Sequence, residues 1–263
     1  MNFQNLKLDL TNYGIAKLLF SNPKSKNALN QNMILEIKKA LKFLQKSKQC
    51  RVLIFSGEGD TFSSGADLMW MKKSKDLNYK QNKKESHGFT QMLKAIDSFP
   101  KPTISLVNGH AFGGALGIIA ASDYSLSLEK SKFCFSEVRL GLIPAMIAPY
   151  IMRSIGYKTT KKLFLTGEVF NAKQALNIGL IDEIINIQDL NIGTSALLKN
   201  LIHAAPIAQN KIKLFLKKIY SKKINNSLIN ETAETISKIR ITKEAQEGLD
   251  AFLEKRKPDW SKN

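Results

Sequence analysis

The order of strand-like and helix-like segments predicts an α/β protein with a largely parallel sheet and a helical C-terminal region. Short apolar runs alternate with segments of helical periodicity up to about residue 187, and beyond it the pattern is helical only. Strands that alternate with helices are typical of parallel sheets, because each helix returns the chain to the edge where the strand began. We expect the C-terminal region to cover the main domain or a neighbouring subunit.

The first predicted elements are two strands, a helix and a third strand. Residues 6–10 alternate apolar and polar side chains, as a half-buried strand does, and a turn at 12–14 leads into a second strand over 15–20. Asn30 can cap a helix, and residues 51–56 form a short apolar run that predicts a buried strand. The helical spacing is carried by Met33, Ile34, Ile37, Leu41 and Leu44.

A polar, lysine-rich stretch interrupts the middle of the chain. Residues 72–86 have no apolar period, so we expect them to be mobile or only partly helical, as a lid over a site would be. Helix is expected again over 88–98, where Pro100 and Pro102 end it. Further strands are expected over 103–107, 124–128 and 133–136, and a helix of small residues over 113–122.

Composition narrows the class of protein. The 263 residues allow one large domain or a domain with an appendage, and no apolar run approaches the ~20 residues of a membrane span. The N-terminus has neither a secretory pattern nor the arginines of a mitochondrial leader. Cys50 and Cys134 form neither a disulfide framework nor a metal-ligand cluster. We expect packed, reduced thiols, no metal and a cytoplasmic location.

The formal net charge of +18 leaves a polyanionic partner open. Only five of the 40 basic residues are Arg, the side chain best suited to bidentate phosphate recognition, so a lysine-rich composition with a solvated surface is favoured. Lys38, Lys42 and Lys46 recur at i, i+4 and i+8, which could align them along phosphates. Nucleic-acid binding is therefore a remote alternative, and a solvated helix face is the preferred interpretation.

Two corners of small residues are the most informative feature for function. Residues 62–68 and 108–115 each follow a strand-like apolar run. Small residues let backbone N–H groups come close to a ligand, because no bulky side chain intervenes. Two such corners can direct two N–H groups at one carbonyl oxygen, which is what an oxyanion hole requires, and each donor contributes about 3–4 kcal/mol there.

Short motifs in a fixed order extend this pattern over nearly the whole chain. They are Asn22-Pro23-Lys24 with Asn27-Ala28-Leu29, the two corners, Phe135-Ser136-Glu137, Gly141-Leu142-Ile143-Pro144, Leu165-Thr166-Gly167-Glu168, residues 175–180 and Phe252-Leu253-Glu254-Lys255-Arg256. Together they resemble the enoyl-CoA hydratase/isomerase (crotonase) superfamily. The resemblance implies a crotonase (ClpP-like) spiral of ββα turns over 1–190 that binds acyl-CoA. It also implies a helical region over 191–263 that forms trimers or dimers of trimers and covers the active site.

The resemblance also implies the chemistry. The acyl-CoA thioester is the substrate, no cofactor is needed, and the amides of Ala66 and Gly114 stabilise the thioester enolate. Glu137 matches the family's acid/base glutamate, although the residue alone could equally be a surface carboxylate or a partner of Arg139. Its sequence neighbours are apolar or small, so we expect its pKa to be raised.

One position departs from the pattern of the family and leaves more than one type of reaction open. Hydratases of this family commonly carry a second glutamate where this chain has Gly117. Residues 136–145 and 66–71 nevertheless look most like bacterial methylglutaconyl-CoA and isohexenylglutaconyl-CoA hydratases, and several of these have glycine there too. Hydration is the first hypothesis. Isomerisation or decarboxylation by a single glutamate is the second, and a binding protein without turnover is a further alternative.

Substrate contacts follow from the same resemblance. Lys24 and Lys26 would meet the adenine and ribose phosphate of CoA, as point charges suited to phosphate. Phe252 and Lys255 would reach the nucleotide of a neighbouring subunit. Further contacts are expected from Ala28, Ser64, Ala66, Asp67, Leu68 and Met69, the last in place of a usual lysine. Trp70, Met71 and Phe89 could wall the acyl pocket, although ordinary core packing explains them at least as well. Tyr79, Lys83 or His87 could add a polar group near the expected lid.

Overall fold

The computed structural model describes residues 2–186 and 196–261. The expected domain boundary at residues 190 and 191 lies outside them. The strands are β1 Leu6–Leu10, β2 Ile15–Phe20, β3 Val52–Gly57, β4 Thr61–Ser63, β5 Thr103–Val107, β6 His110–Phe112, β7 Tyr124–Leu128, β8 Lys132–Cys134, β9 Val169–Asn171 and β10 Glu183–Ile185. The helices are α1 Gln31–Lys46, α2 Leu68–Ser74, α3 Tyr79–Asp97, α4 Ala115–Ala121, α5 Ala148–Thr166, α6 Ala172–Asn177, α7 Ala196–His203, α8 Pro206–Ile219, α9 Asn226–Arg240 and α10 Lys243–Leu253.

The larger sheet confirms the α/β prediction. Its order is β1-β2-β3-β5-β7-β10, and its pairs are parallel except β1 with β2. Helix α1 forms where expected, because the Asn30 side chain accepts a hydrogen bond from the Met33 amide at 2.9 Å. All five apolar positions expected on its inner face are buried. The described residues beyond 196 are helical, as predicted.

A second sheet, of order β4-β6-β8-β9, was not predicted. Its strands have three residues each, too few to display an alternating pattern. The strand expected over 133–136 is therefore corrected: β8 ends at Cys134, and Ser136–Leu140 forms a 3-10 turn. β4, β6 and β8 run parallel to one another.

The lysine-rich stretch 72–86 is more helical than expected. α2 extends to Ser74, and α3 begins at Tyr79, nine residues before the predicted start. Asn78 and Gln81 form a capping box, in which each side chain accepts a hydrogen bond from the other residue's amide. This local signal starts the helix although its first two turns carry no apolar stripe.

The C-terminal helices dock on the main domain through polar contacts. Lys213 Nζ lies 2.5 Å from Asp123 Oδ2, and Lys217 Nζ lies 2.6 Å from Asp97 Oδ2. The Arg51 guanidinium donates to the carbonyl oxygens of Ile202, Ala204 and Trp260 at 2.7–3.0 Å. These bonds join the start of β3 to both ends of the helical region.

Cys50 and Cys134 are free and buried, as expected for packed thiols. In the described ranges, 2–186 and 196–261, no helix is long and apolar enough to cross a membrane.

Candidate active site

Three corners of the chain meet at one edge of the small sheet. β4, β6 and β8 are neighbouring parallel strands, so their C-terminal ends lie side by side. Ala66 follows β4, Gly114 follows β6 and Glu137 follows β8. The order of short strands that sequence reasoning missed is therefore what brings the three predicted catalytic residues together.

The Ala66 amide is directed away from the neighbouring chain segment. Leu29 donates to the Gly65 carbonyl at 2.7 Å and accepts from the Asp67 amide at 3.0 Å. In such a parallel bridge the residue between the two bonded groups presents its own N–H to the other side. Among the described residues no acceptor bonds to the Ala66 amide. Ala66 is exposed, so this donor is accessible to a ligand.

The Gly65 and Gly113 corners are in backbone contact. Gly65 has φ +92°, and a Cβ there would lie 2.8 Å from the Phe112 carbonyl oxygen and 3.7 Å from Gly113 Cα. Only glycine fits this approach. The Gly113 amide donates to the Cys134 carbonyl at 2.9 Å, which leaves Gly114 as the next donor along the chain. In the described part of the chain the Gly114 amide, too, has no acceptor.

The Glu137 carboxyl lies against the Gly113 corner. A Cβ built on Gly113 would lie 3.4 Å from Glu137 Oε1. Glu137 Oε2 is buried, and no partner bonds to it within the described residues, Arg139 included. Burial is the main cause that raises the pKa of Glu137 above its ordinary value. The carboxyl is therefore neither a surface group nor half of an ion pair, which were the alternatives left open by its sequence.

The loop that carries Lys24 and Lys26 is hydrogen-bonded to the Ala66 corner. The Ser64 amide donates to the Lys26 carbonyl at 3.0 Å, and the Ser64 hydroxyl donates to the Ser25 carbonyl at 3.1 Å. Both lysines are exposed, and Ala28 is buried directly behind them. The structure thus assembles Lys24, Lys26, Ala28, Ser64 and Ala66 on one side of the site.

The remaining predicted contact residues are placed differently. Asp67 caps α2, since its side chain accepts from the Trp70 amide at 2.9 Å. Leu68 and Met69 are 79% and 73% exposed beside Ala66. Phe252 and Lys255 lie at the end of α10, and within the described residues no hydrogen bond or ion pair joins them to this site. Their predicted contact is with a neighbouring subunit and stays a prediction.

The position of the second glutamate is closed by packing. Gly117 lies in α4, and a Cβ there would lie 2.3 Å from Ile147 Cγ2, at the start of α5. A larger side chain at residue 117 has no space without movement of α5.

Sequence reasoning missed the contact between Glu85 and Trp70. Trp70 Nε1 donates to Glu85 Oε2 at 2.6 Å. Phe89, one turn later on α3, packs against Gly114, where a Cβ would lie 3.0 Å from its ring. Tyr79, Lys83 and His87 are exposed, whereas Glu85 is half-buried. The i, i+4 spacing of Glu85 and Phe89 was the available signal.

The lysines of the row at positions 38, 42 and 46 differ in exposure. Lys38 is half-buried and donates to Gln91 Oε1 at 2.9 Å, whereas Lys42 and Lys46 are exposed opposite the buried stripe of α1. This geometry is that of a solvated helix face.

Among the residues that the structure describes, no three His, Cys, Asp or Glu side chains are grouped closely enough to hold a metal ion.

The chain is similar to known proteins over nearly its whole length. A crotonyl-CoA hydratase from Syntrophomonas wolfei is 28% identical over 262 residues, 99% of each chain. The enoyl-CoA isomerase/hydratase fer4 from Mycosarcoma maydis is 30% identical over 258 residues, 93% of this chain and 92% of the relative. The crystal structure of an enoyl-CoA hydratase from Shewanella pealeana superimposes with a TM-score of 0.94 at 37% identity, over 98% of this chain and 96% of the other.

The fold and the sequence point to the same family. The two sheets and the C-terminal helices of the described residues match those of the crotonase structure. The family model described as enoyl-CoA hydratase/isomerase matches residues 11–263. This chain is therefore an enzyme of the enoyl-CoA hydratase/isomerase (crotonase) family.

Proposed function

We propose that this enzyme is an enoyl-CoA hydratase, which adds water across the 2,3 double bond of an enoyl-CoA through a thioester enolate. The observation that carries the proposal is the meeting of two acceptor-free amides, from Ala66 and Gly114, with the unpaired carboxyl of Glu137. A thioester oxygen between the two amides gains two hydrogen bonds as it becomes negative. The substrate brings its own CoA, so the reaction needs no cofactor.

The proposed steps balance around Glu137. A water oxygen bonds to Cβ, and the π electrons move onto the thioester oxygen, where the two amides stabilise them. The enolate then collapses and Cα takes the proton from the Glu137 carboxyl. The proton that the attacking water releases restores the carboxyl. The raised pKa of Glu137 supports this role, because it keeps a proton available closer to neutral pH.

Isomerisation or decarboxylation is the runner-up. The packing of Ile147 against Gly117 favours it, because residue 117 has no space for a carboxylate that would orient the attacking water. A single Glu137 can move a proton from one carbon to another, or protonate an enolate left by loss of CO2. The enolate site is the same in each case.

The test compares three thioesters with the purified enzyme. Crotonyl-CoA should yield a product heavier by one water, whereas 3-butenoyl-CoA tests isomerisation and methylmalonyl-CoA tests decarboxylation. Conversion of 3-butenoyl-CoA with crotonyl-CoA left unchanged would favour the runner-up. Glu137→Gln should lower the turnover rate by about 10²–10⁴-fold. Binding of all three without turnover would indicate a binding protein.

The acyl chain is a finer part of the proposal. The resemblance of residues 136–145 and 66–71 to methylglutaconyl-CoA hydratases supports 3-methylglutaconyl-CoA, a substrate of leucine degradation. Crotonyl-CoA would instead place the enzyme in fatty acid metabolism. The ratio of kcat/KM for these two thioesters distinguishes them.

The proposal includes a trimer or a dimer of trimers, formed by the region 191–263. Its helices expose large apolar side chains, which are typical of an interface. They include Ile212, Leu214, Leu216, Ile229, Ile236 and Leu249. Light scattering after gel filtration should give the mass of three or six chains, and a monomer would contradict the assembly. A cytoplasmic location is proposed with it, consistent with two free thiols.

A further inference from the structure

A hydrogen bond between Trp70 and Glu85 joins α2 to α3 beside the proposed amide donors. The Nε1–Oε2 distance is 2.6 Å. Trp70 lies in the first turn of α2, four residues after Ala66, and its amide is held by the Asp67 cap at 2.9 Å. The same corner that presents the Ala66 amide therefore sets the position of the indole.

Phe89 connects the other donor to Glu85. Its buried ring packs on Gly114, with Cζ 3.0 Å from the position of a Cβ there. Glu85 and Phe89 are neighbours on one face of α3, because residues four apart lie one above the other. The wall that begins at Gly114 thus passes Phe89 and reaches Glu85 about 6 Å further along the helix axis.

Glu85 is a carboxylate without a cation in this wall. It is half-buried, and none of the ion pairs among the described residues includes it. Lys83 and Lys84, its nearest basic neighbours in sequence, are exposed. A second negative charge brought next to it is repelled, and the repulsion is stronger where water is partly excluded.

We propose that Glu85, held by Trp70, is a specificity-determining residue of the acyl pocket. It selects acyl-CoA thioesters with uncharged chains and rejects chains that end in a carboxylate. The inference rests on the proposed function, because the acyl chain lies along α2 and α3 only if the thioester oxygen binds at Ala66 and Gly114. It makes crotonyl-CoA a better substrate than 3-methylglutaconyl-CoA, so on this point it replaces the substrate that the sequences of residues 136–145 and 66–71 support.

The experiment measures binding of two saturated thioesters, butyryl-CoA and glutaryl-CoA, by calorimetry. The unaltered enzyme should bind butyryl-CoA at least about tenfold more tightly, and Glu85→Gln should reduce that ratio about tenfold. Asp76→Asn is the matched control. It removes one negative charge from the exposed turn between α2 and α3, away from Trp70, and should leave the ratio unchanged.

Salt gives a second readout on the unaltered enzyme. The ratio should shrink as salt rises, because screening weakens repulsion between charges. Equal affinities, a ratio that Glu85→Gln does not change, or a ratio independent of salt would overturn the inference. If Glu85→Gln does not fold, the salt series decides alone. Neither thioester is hydrated, so failure of crotonyl-CoA hydration contradicts the proposed function separately, whereas failure to bind either thioester overturns both.

Discussion

The Ile147 side chain lies where a side chain on Gly117 would project. A Cβ at Gly117 would be 2.3 Å from Ile147 Cγ2 and 3.2 Å from Leu93 Cδ1. Ile147 is 1% exposed and directly precedes α5. Ile147, at the start of α5, occupies the space next to Gly117 in α4. One substitution therefore cannot place a carboxylate at residue 117.

Gly117→Ala should destabilise the enzyme by about 1–3 kcal/mol, because the new methyl group overpacks the contact with Ile147. Ile147→Ala alone should destabilise it by about 2–5 kcal/mol through a cavity. In the double variant the free energy of unfolding should fall by at least about 1 kcal/mol less than the sum of the two single losses. Urea unfolding at one protein concentration measures all three, and simple additivity would contradict the packing described.

Glu137→Gln should stabilise the protein although it lowers the turnover rate. Between the ordinary pKa of 4.5 and the raised pKa of the folded state, the folded state binds more protons than the unfolded state. The stability of the unaltered enzyme therefore falls as pH rises through the folded pKa and stays low above it. The neutral amide avoids this loss. We expect a higher Tm for the variant than for the unaltered enzyme at neutral pH. The difference should vanish below pH 4.5, and a constant difference would refute the assignment.

The pH profile of kcat/KM should have the same falling limb in both directions of the reaction. In the proposed mechanism hydration uses protonated Glu137, so its kcat/KM should fall as pH rises through the raised pKa. The cycle restores the protonated carboxyl, so dehydration of 3-hydroxybutyryl-CoA begins from the same form and its kcat/KM should fall over the same interval. Steady-state rates in both directions test this. Limbs at the ordinary glutamate pKa of 4.5 would show that burial does not govern the acid.

Gly113→Ala should lower kcat beyond what its loss of stability explains. Its φ of +53° costs a side chain about 1–2 kcal/mol, and relief of that strain would move the corner whose Cβ touches Glu137 Oε1 at 3.4 Å. We expect kcat to fall at least about tenfold. Gly59→Ala is the control, because its φ is +82° with open space around it. It should lose similar stability but keep its activity, and equal kcat losses would contradict the argument.

Lys24 and Lys26 should contribute to affinity for the nucleotide but not for the acyl chain. Replacement of both by Gln should raise KM for crotonyl-CoA by about three- to tenfold, the loss of two exposed charge interactions. KM for crotonyl-pantetheine, which has no nucleotide, should not change. Lys42→Gln on the exposed face of α1 is the control for net charge. An equal rise in both KM values would show that the lysines do not act through the nucleotide.

The sequence predicted elements that carry their own local signal. Asn30 and the apolar stripe of α1 specify that helix without help from the rest of the chain. The strands over 103–107 and 124–128 are apolar enough to be recognised alone. The corner glycines were recognised for a similar reason, since a run of small residues directly after an apolar strand is typical of a backbone corner that approaches another group closely.

Features that depend on long-range packing could not be predicted. The three-residue strands of the small sheet are held by partners up to about 50 positions away, and no local pattern marks them. Ile147 fills the space beside Gly117 from another helix. Glu85 lies in a polar stretch whose helix is started by the Asn78 cap, so its contact with Trp70 had no apolar period to reveal it.

The hydrogen bonds from Ser64 to Ser25 and Lys26 have an evolutionary consequence. They join the lysine loop to the Ala66 corner. In the proposed function this fixes the distance between the nucleotide, which every CoA ester shares, and the reacting carbonyl. Mutations in α2 and α3 can then remodel what the chain accepts at its far end without disturbing that spacing. Such a division lets new chain preferences arise by drift while the chemical step is preserved.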